Sequence, residues 1–183
     1  KETKQTQKLY GLDNSTTASY GRRCLLARRL VEAGVRFVQV LQPGNQPWDS
    51  HRDTRGQIGQ IAPQVDQPSA ALIQDLKRRG LLDSTIVLWT GEFGRQAIRQ
   101  AGGNNPGRDH NPLAFTALLA GGGFRAGFVH GATDELGYSA ADKPLNVHDF
   151  NATILHLLGI DHEKLLYRFQ GRDFRLTDVQ GVV

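Results

Sequence analysis

The chain reads as an α/β domain, and three observations carry that reading. Two apolar, β-branched runs at residues 35–41 and 86–90 flank a long helical stretch at about residues 58–79. A strand, a helix and a second strand in that order imply a parallel pair joined by a right-handed crossover. Both runs lead into loops that set acids and histidines among glycines, where an open α/β sheet places its ligand crevice. With 183 residues and 39% hydrophobic content, the chain is long enough for one domain with a proper core, but not comfortably for two. Residues 1–183 are therefore expected to form a single domain or one piece of a larger one.

Taken in order, the first dozen residues are polar and are expected to be extended or frayed. Asp13-Asn14-Ser15-Thr16 offers a helix start. Tyr20, Cys24, Leu25, Ala27, Leu30 and Val31 then recur at helical spacing up to Gly34, a C′ glycine. The run at 35–41 follows as a strand and ends at Pro43-Gly44. The long helix closes at Gly80, and the strand at 86–90 runs straight into Gly91-Glu92. From Gly102 to Pro106 the composition turns to Gly and Asn, a flexible loop that delivers His110. Residues 113–120 read as a strand, Gly121-Gly122-Gly123 as a turn, and residues 127–131 as a short returning strand. The last helix starts near His148 or Asp149, with Asp149 as its N-cap. Phe150, Ile154, Leu155, Leu157 and Leu158 form its apolar side, and Gly159 closes it.

The net charge is +4, yet Lys and Arg are spread along the chain without a basic tract interleaved with aromatics, so no nucleic-acid partner is expected. Arg22-Arg23 and Arg28-Arg29 read as a solvated helix face. The single cysteine, Cys24, falls on the apolar side of its helix and reads as core. No apolar run is long enough to span a membrane, and no signal peptide is visible. The chain begins Lys1-Glu2-Thr3-Lys4 and contains no Met, which suggests the C-terminal part of a longer polypeptide. Oligomeric state is not legible.

The chemistry concentrates in three segments: Trp48-Asp49-Ser50-His51, Gly91-Glu92-Phe93-Gly94-Arg95 and Gly107-Arg108-Asp109-His110-Asn111-Pro112. On an extended segment Asp49 and His51 leave from the same face and can grip one ion, with Glu92 and His110 arriving from two other loops. Asp49, His51, Glu92 and His110 are thus the candidate ligands of a divalent metal. Nitrogen and oxygen donors admit Zn or Mn, and a carboxylate-richer set admits Ca or Mg. Arg95 and Arg108 can clamp an anion through paired N–H donors, and Asp109 can orient His110 or serve as a further ligand. Glu92 is either a further ligand or a general base. His130, His148, His156 and His162 are weaker candidates, and Asp134, in an acid-rich turn, is a reserve ligand.

Glu92-Phe93-Gly94-Arg95, Gly107-Arg108-Asp109-His110-Asn111-Pro112, Leu119-Ala120-Gly121-Gly122-Gly123, Gly131-Ala132-Thr133-Asp134-Glu135 and the run from Asp149 to Ile160 together resemble a known pattern. It is the C-terminal half of a large uncharacterised bacterial family, domain of unknown function 1501, described with twin-arginine export signals and grouped with the alkaline phosphatase and sulfatase superfamily. The resemblance implies the C-terminal portion of a three-layer α/β sandwich with a largely parallel central sheet. It also implies export to the periplasm or cell surface. Asp49, His51 and His110 look like one superfamily ligand set. Thr90-Gly91-Glu92-Phe93-Gly94 resembles the loop of a second metal site, with Glu92 for the usual aspartate and Phe93, which cannot coordinate, in the next ligand position. The superfamily nucleophile lies in the N-terminal part of the domain. Cys24 is followed by Leu25-Leu26-Ala27-Arg28 and lacks the sulfatase cysteine motif. The implied activity is metal-assisted hydrolysis of a sulfate or phosphate ester, on a small-molecule or polysaccharide substrate, with Glu92 and Arg95 catalytic and Arg95 and Arg108 binding the anion. The alternative is an exported binding or scaffold protein that keeps the fold without turnover.

Overall fold

The computed structural model describes residues 2–100 and 103–183, so Gly102, the start of the expected flexible loop, lies outside the described residues. Three helices build the core. Helix α1, Lys4–Leu9, occupies the segment expected to be extended; Thr3 caps it by accepting from the Thr6 amide. The chain turns at Tyr10 and Gly11 into α2, Ala18–Glu32, which ends as expected with Gly34 in the left-handed region at φ 89°. Helix α3, Thr54–Arg78, starts four residues earlier than its apolar pattern suggests, because the Asp53 carboxylate accepts from the Gly56 amide.

The polar start of the chain folds because Tyr10 anchors it. This residue is fully buried with Tyr20, Cys24, Leu25, Val65 and Ala71, and Leu9, Leu12, Val40, Trp48 and Leu72 pack around them. Gly21 permits the close approach: a Cβ there would meet the Tyr10 carbonyl oxygen at 2.1 Å. Cys24 is core as read, and burial pushes its thiol up to about 12. Arg28 overturns the solvated-face expectation. Its side chain is 1% exposed, with Nε donating to Asp75 Oδ2 at 2.9 Å and Nη1 to Glu32 Oε2 at 2.5 Å. Glu2 Oε1 lies 2.7 Å from Nη2, an ion pair without hydrogen-bond geometry. Asp75 also accepts from the Tyr10 hydroxyl and from Arg79 Nε, so one buried cluster ties α1, α2 and α3 together.

The strands depart from the expected parallel pair. Residues 35–41 carry no ladder; Val40 rests on the core while Phe37 is 84% exposed. Apolar alternation reports a strand-compatible side-chain pattern, but pairing requires a neighbour that local sequence does not specify. Strand β1, Val87–Thr90, pairs instead with β4, Ala117–Ala120, in antiparallel register from Val87↔Ala120 to Thr90↔Ala117. The Gly121-Gly122-Gly123 turn follows with all three residues at positive φ. Three more antiparallel pairs complete the described sheets: β2, Gly94–Arg95, with β3, His110–Asn111; β5, Ala132–Thr133, with β6, Ala140–Asp142; and β7, Leu166–Phe169, with β8, Arg172–Arg175. Among the described residues there is no parallel central sheet, and the expected returning strand at 127–131 is not formed. The architecture is mixed helix and strand with small antiparallel sheets.

Helix α4, Val147–Leu157, forms where expected but is capped differently. Asn146, not Asp149, is the N-cap; Asp149 occupies the third helical position and accepts from the Asn146 amide, completing a capping box. The other Asp149 oxygen accepts from the Val182 amide at 2.8 Å and pins the C-terminal segment. No helix is long and apolar enough to cross a membrane among the described residues.

Candidate metal centre

Backbone contacts bring three loops together. The Asp49 loop joins the Pro106–Arg108 segment through the Arg52↔Pro106 bridge and through the Arg108 amide, which donates to Ser50 O at 2.9 Å. Gly107 is buried against the His51 carbonyl; a Cβ there would stand 1.9 Å from it, so only glycine fits. The β2–β3 ladder sets Arg95 opposite His110 and Gly94 opposite Asn111. Gly94 faces Ala114 O at 1.9 Å from a would-be Cβ, another approach that requires glycine. Trp48 meets Trp89 of β1 edge to face, with centroids 6.0 Å apart, and holds the Asp49 loop to the first strand.

These contacts bring three of the four proposed ligands into one group. Asp49, His51 and His110 each offer a ligand atom, and the three atoms lie within 4.8 Å of one another in a half-buried setting. His110 Nε2 stands 2.8 Å from Asp49 Oδ1 and His51 Nε2 stands 3.2 Å from the same oxygen. His51 Nδ1 donates to Gln100 Oε1 at 3.1 Å. In the neutral ring that hydrogen bond leaves Nε2 as a lone pair directed at a carboxylate oxygen, so the pair calls for a proton or a cation between them. The donor chemistry therefore fits a divalent ion: one carboxylate and two imidazoles with the remaining positions open. The hydrogen bond from His110 holds the Asp49 carboxyl below the usual carboxylate range, ahead of the partial opposing effect of burial; the charges of His51, His110 and Arg95 add to the lowering.

Glu92 stays outside this group. Its side chain is 61% exposed and pairs with Arg95 Nη2 at 3.3 Å, while the same nitrogen lies 3.3 Å from Asp49 Oδ1. Phe93, in the position expected of a second-site ligand, packs its ring 4.5 Å from that of His110 and 5.1 Å from Arg95 Cζ. Arg108 is exposed beside the centre, its Nη1 donating to Gln96 O at 2.9 Å. Asp109 lies outside the ligand group and meets the backbone of His110 rather than its ring: its Oδ1 accepts from the His110 amide at 2.8 Å. Gln100 is not recognisable from sequence, because a neutral amide in a loop carries no charge or spacing signal. Its role emerges only from the contact with His51.

None of the remaining candidates joins the group among the described residues, and His148 lies in the first turn of α4. His130 Nε2 lies 3.1 Å from Lys143 O, His162 Nδ1 lies 2.9 Å from Thr177 Oγ1 in a buried setting, and His156 is exposed on α4. Asp134 is fully engaged by its own turn. Its carboxylate accepts from the amides of Leu136, Tyr138 and Ser139 at 2.8–3.0 Å, and those bonds, Tyr138 and Ser139 foremost, hold its carboxyl below the ordinary range. A lowered folded value means a contribution present at neutral pH and lost as the pH falls below the carboxylate range. Asp134→Ala is accordingly expected to speed amide exchange at Tyr138 and Ser139 severalfold at neutral pH and leave metal content unchanged. Unchanged exchange would show that the carboxylate does not order the turn.

The family model described as "Protein of unknown function (DUF1501)" matches residues 1–183. No curated protein and no solved structure matches the chain.

Proposed function

The chain belongs to that family of proteins of unknown function, DUF1501, and on that premise we propose that it contributes the metal centre of a hydrolase acting on sulfate or phosphate esters. The observation that supports this most is the convergence of His51 Nε2 and His110 Nε2 on one oxygen of Asp49, with His51 Nδ1 engaged by Gln100. Two imidazoles and one carboxylate suit Zn or Mn better than Ca or Mg. A bound ion would supply Lewis-acid polarisation of the ester oxygen and a more acidic water. Arg95 and Arg108 would receive the anionic group through guanidinium N–H donors. Glu92, exposed and next to Arg95, would act as general base for the attacking water or hydroxyl.

The same proposal places these residues in the C-terminal portion of an alkaline phosphatase/sulfatase-like sandwich exported to the periplasm or cell surface, with a small-molecule or polysaccharide ester as substrate. A second reading is favoured by Phe93: its ring lies against His110 at the position of a second ligand, which suits a one-metal binding or scaffold protein without turnover.

Elemental mass spectrometry on protein purified without chelator separates these readings from a metal-free fold. The expected result is about one equivalent of a divalent metal per chain, the capacity of one three-residue ligand set with an open position. Aryl sulfates and aryl phosphates are then offered to the metal-loaded protein. Chelator-sensitive release of aryl alcohol supports the hydrolase, and metal without turnover of either ester supports the scaffold. No metal after reconstitution would overturn the hydrolase and favour a scaffold that keeps the fold without a metal.

A further inference from the structure

We infer that Arg95 is the counter-cation of the metal-free centre: its guanidinium and a divalent ion compete for the Asp49 carboxylate, so metal binding frees Arg95 for an anion. This rests on the metal-centre reading above and adds a coupling to it. The competition follows from where the charges lie. Asp49 Oδ1 is approached by His110 Nε2 at 2.8 Å, by His51 Nε2 at 3.2 Å and by Arg95 Nη2 at 3.3 Å. An ion held by the two imidazoles and this oxygen would bring two positive charges against a guanidinium already in contact with the same oxygen. One of the two cations must give way, and the histidines favour the metal.

The surroundings also give Arg95 a second resting place. Nη2 is shared between Asp49 Oδ1 and Glu92 Oε1, both at 3.3 Å, so loss of the first contact leaves the second. Phe93 lies under the guanidinium at 5.1 Å from Cζ and guides it along the ring face. Nε is buried with no hydrogen-bond partner among the described residues, a donor that an incoming sulfate or phosphate oxygen would satisfy. The β2–β3 register fixes Arg95 opposite His110, so the movement is confined to the side chain. In this arrangement the free protein stores the anion-binding guanidinium on the metal ligand itself. Metal and anion affinity are then linked with positive sign.

The test is zinc affinity, measured on the metal alone by competition with a chromophoric chelator, without any anionic substrate. Arg95→Gln is expected to bind zinc on the order of tenfold more tightly than the unaltered protein, within the span usual for coupled sites. Arg95→Lys, which keeps the charge, is expected to stay within about threefold of the unaltered protein on the same scale. Circular dichroism confirms that each variant folds. Zinc affinity equal or weaker in Arg95→Gln would overturn the inference and leave the metal centre standing. Failure of the unaltered protein to bind zinc would overturn the metal centre as well. Glu92→Gln distinguishes Glu92's part. Weaker zinc binding that disappears in the Arg95→Gln background would show that Glu92 acts through Arg95. Weakening that persists there would make Glu92 a ligand and count against its role as the guanidinium's second resting place.

Discussion

Replacing Asp49 by alanine is expected to abolish stoichiometric metal binding, with affinity falling more than about 100-fold, beyond the 10- to 100-fold typical of losing an outer partner of a ligand. Asp49 has this weight because it supplies the only carboxylate of the group, and both imidazoles face its Oδ1. Asp49→Asn keeps the shape and removes the charge, so a similar loss in both variants assigns the effect to charge. His110→Ala removes one nitrogen donor and the Phe93 ring contact and should also lose the metal. Affinity is read by chelator competition and folding by circular dichroism. If Asp49→Ala retains one equivalent bound as tightly as before, the ion is held elsewhere. The pH dependence has a definite sign. The folded Asp49 carboxyl is held low, chiefly by His110, so its contribution to stability is complete above the ordinary carboxylate range and is lost progressively as the pH falls through that range to the lowered value. A metal bound at this group is expected to be released on acidification, because its ligands must be deprotonated.

Much of this centre was legible because its signals are local. Asp49 and His51 share one short segment, and His110 lies in a glycine-bounded string; the fold brings these three side chains together. Helix α2 was legible for a similar reason: a 3.6-residue period identifies Tyr20, Cys24, Leu25 and Ala27, and all four are buried. What escaped depends on distant partners. Arg28 looks solvated within its own helix, and only Asp75, 47 residues away, together with Glu2 and Glu32, makes its burial tolerable. Residues 35–41 have the composition of a strand but no ladder partner, while the run at 86–90 found its partner in β4. The α4 cap illustrates a finer limit. Asn146 and Asp149 are both good capping residues, and the choice between them is made by the extended backbone of Asn146 at ψ 169°.

The largest effect on stability is expected at Arg28. Truncation to alanine leaves Asp75 buried with only the Tyr10 hydroxyl and Arg79 to compensate it, and breaking a buried pair from one side costs about 3–5 kcal/mol. Arg28→Ala should therefore move the urea midpoint of unfolding sharply downward. Asp75→Ala should do likewise, and the double variant should lose less than the sum of the two because each single change strands the other's charge. Additive losses would mean that the two side chains act independently despite their 2.9 Å contact. Tyr10 supplies the pH signature. Burial first, then the charge and hydrogen bond of Asp75, push its hydroxyl well above the ordinary tyrosine range. A raised folded value contributes stability that is complete below the unfolded tyrosine value, about pH 10, and declines as the pH rises beyond it. Tyr10→Phe removes the titrating hydroxyl and should flatten that alkaline decline, at a neutral-pH cost of about 1 kcal/mol for the lost hydrogen bond. An unchanged alkaline slope in Tyr10→Phe would place the titration elsewhere.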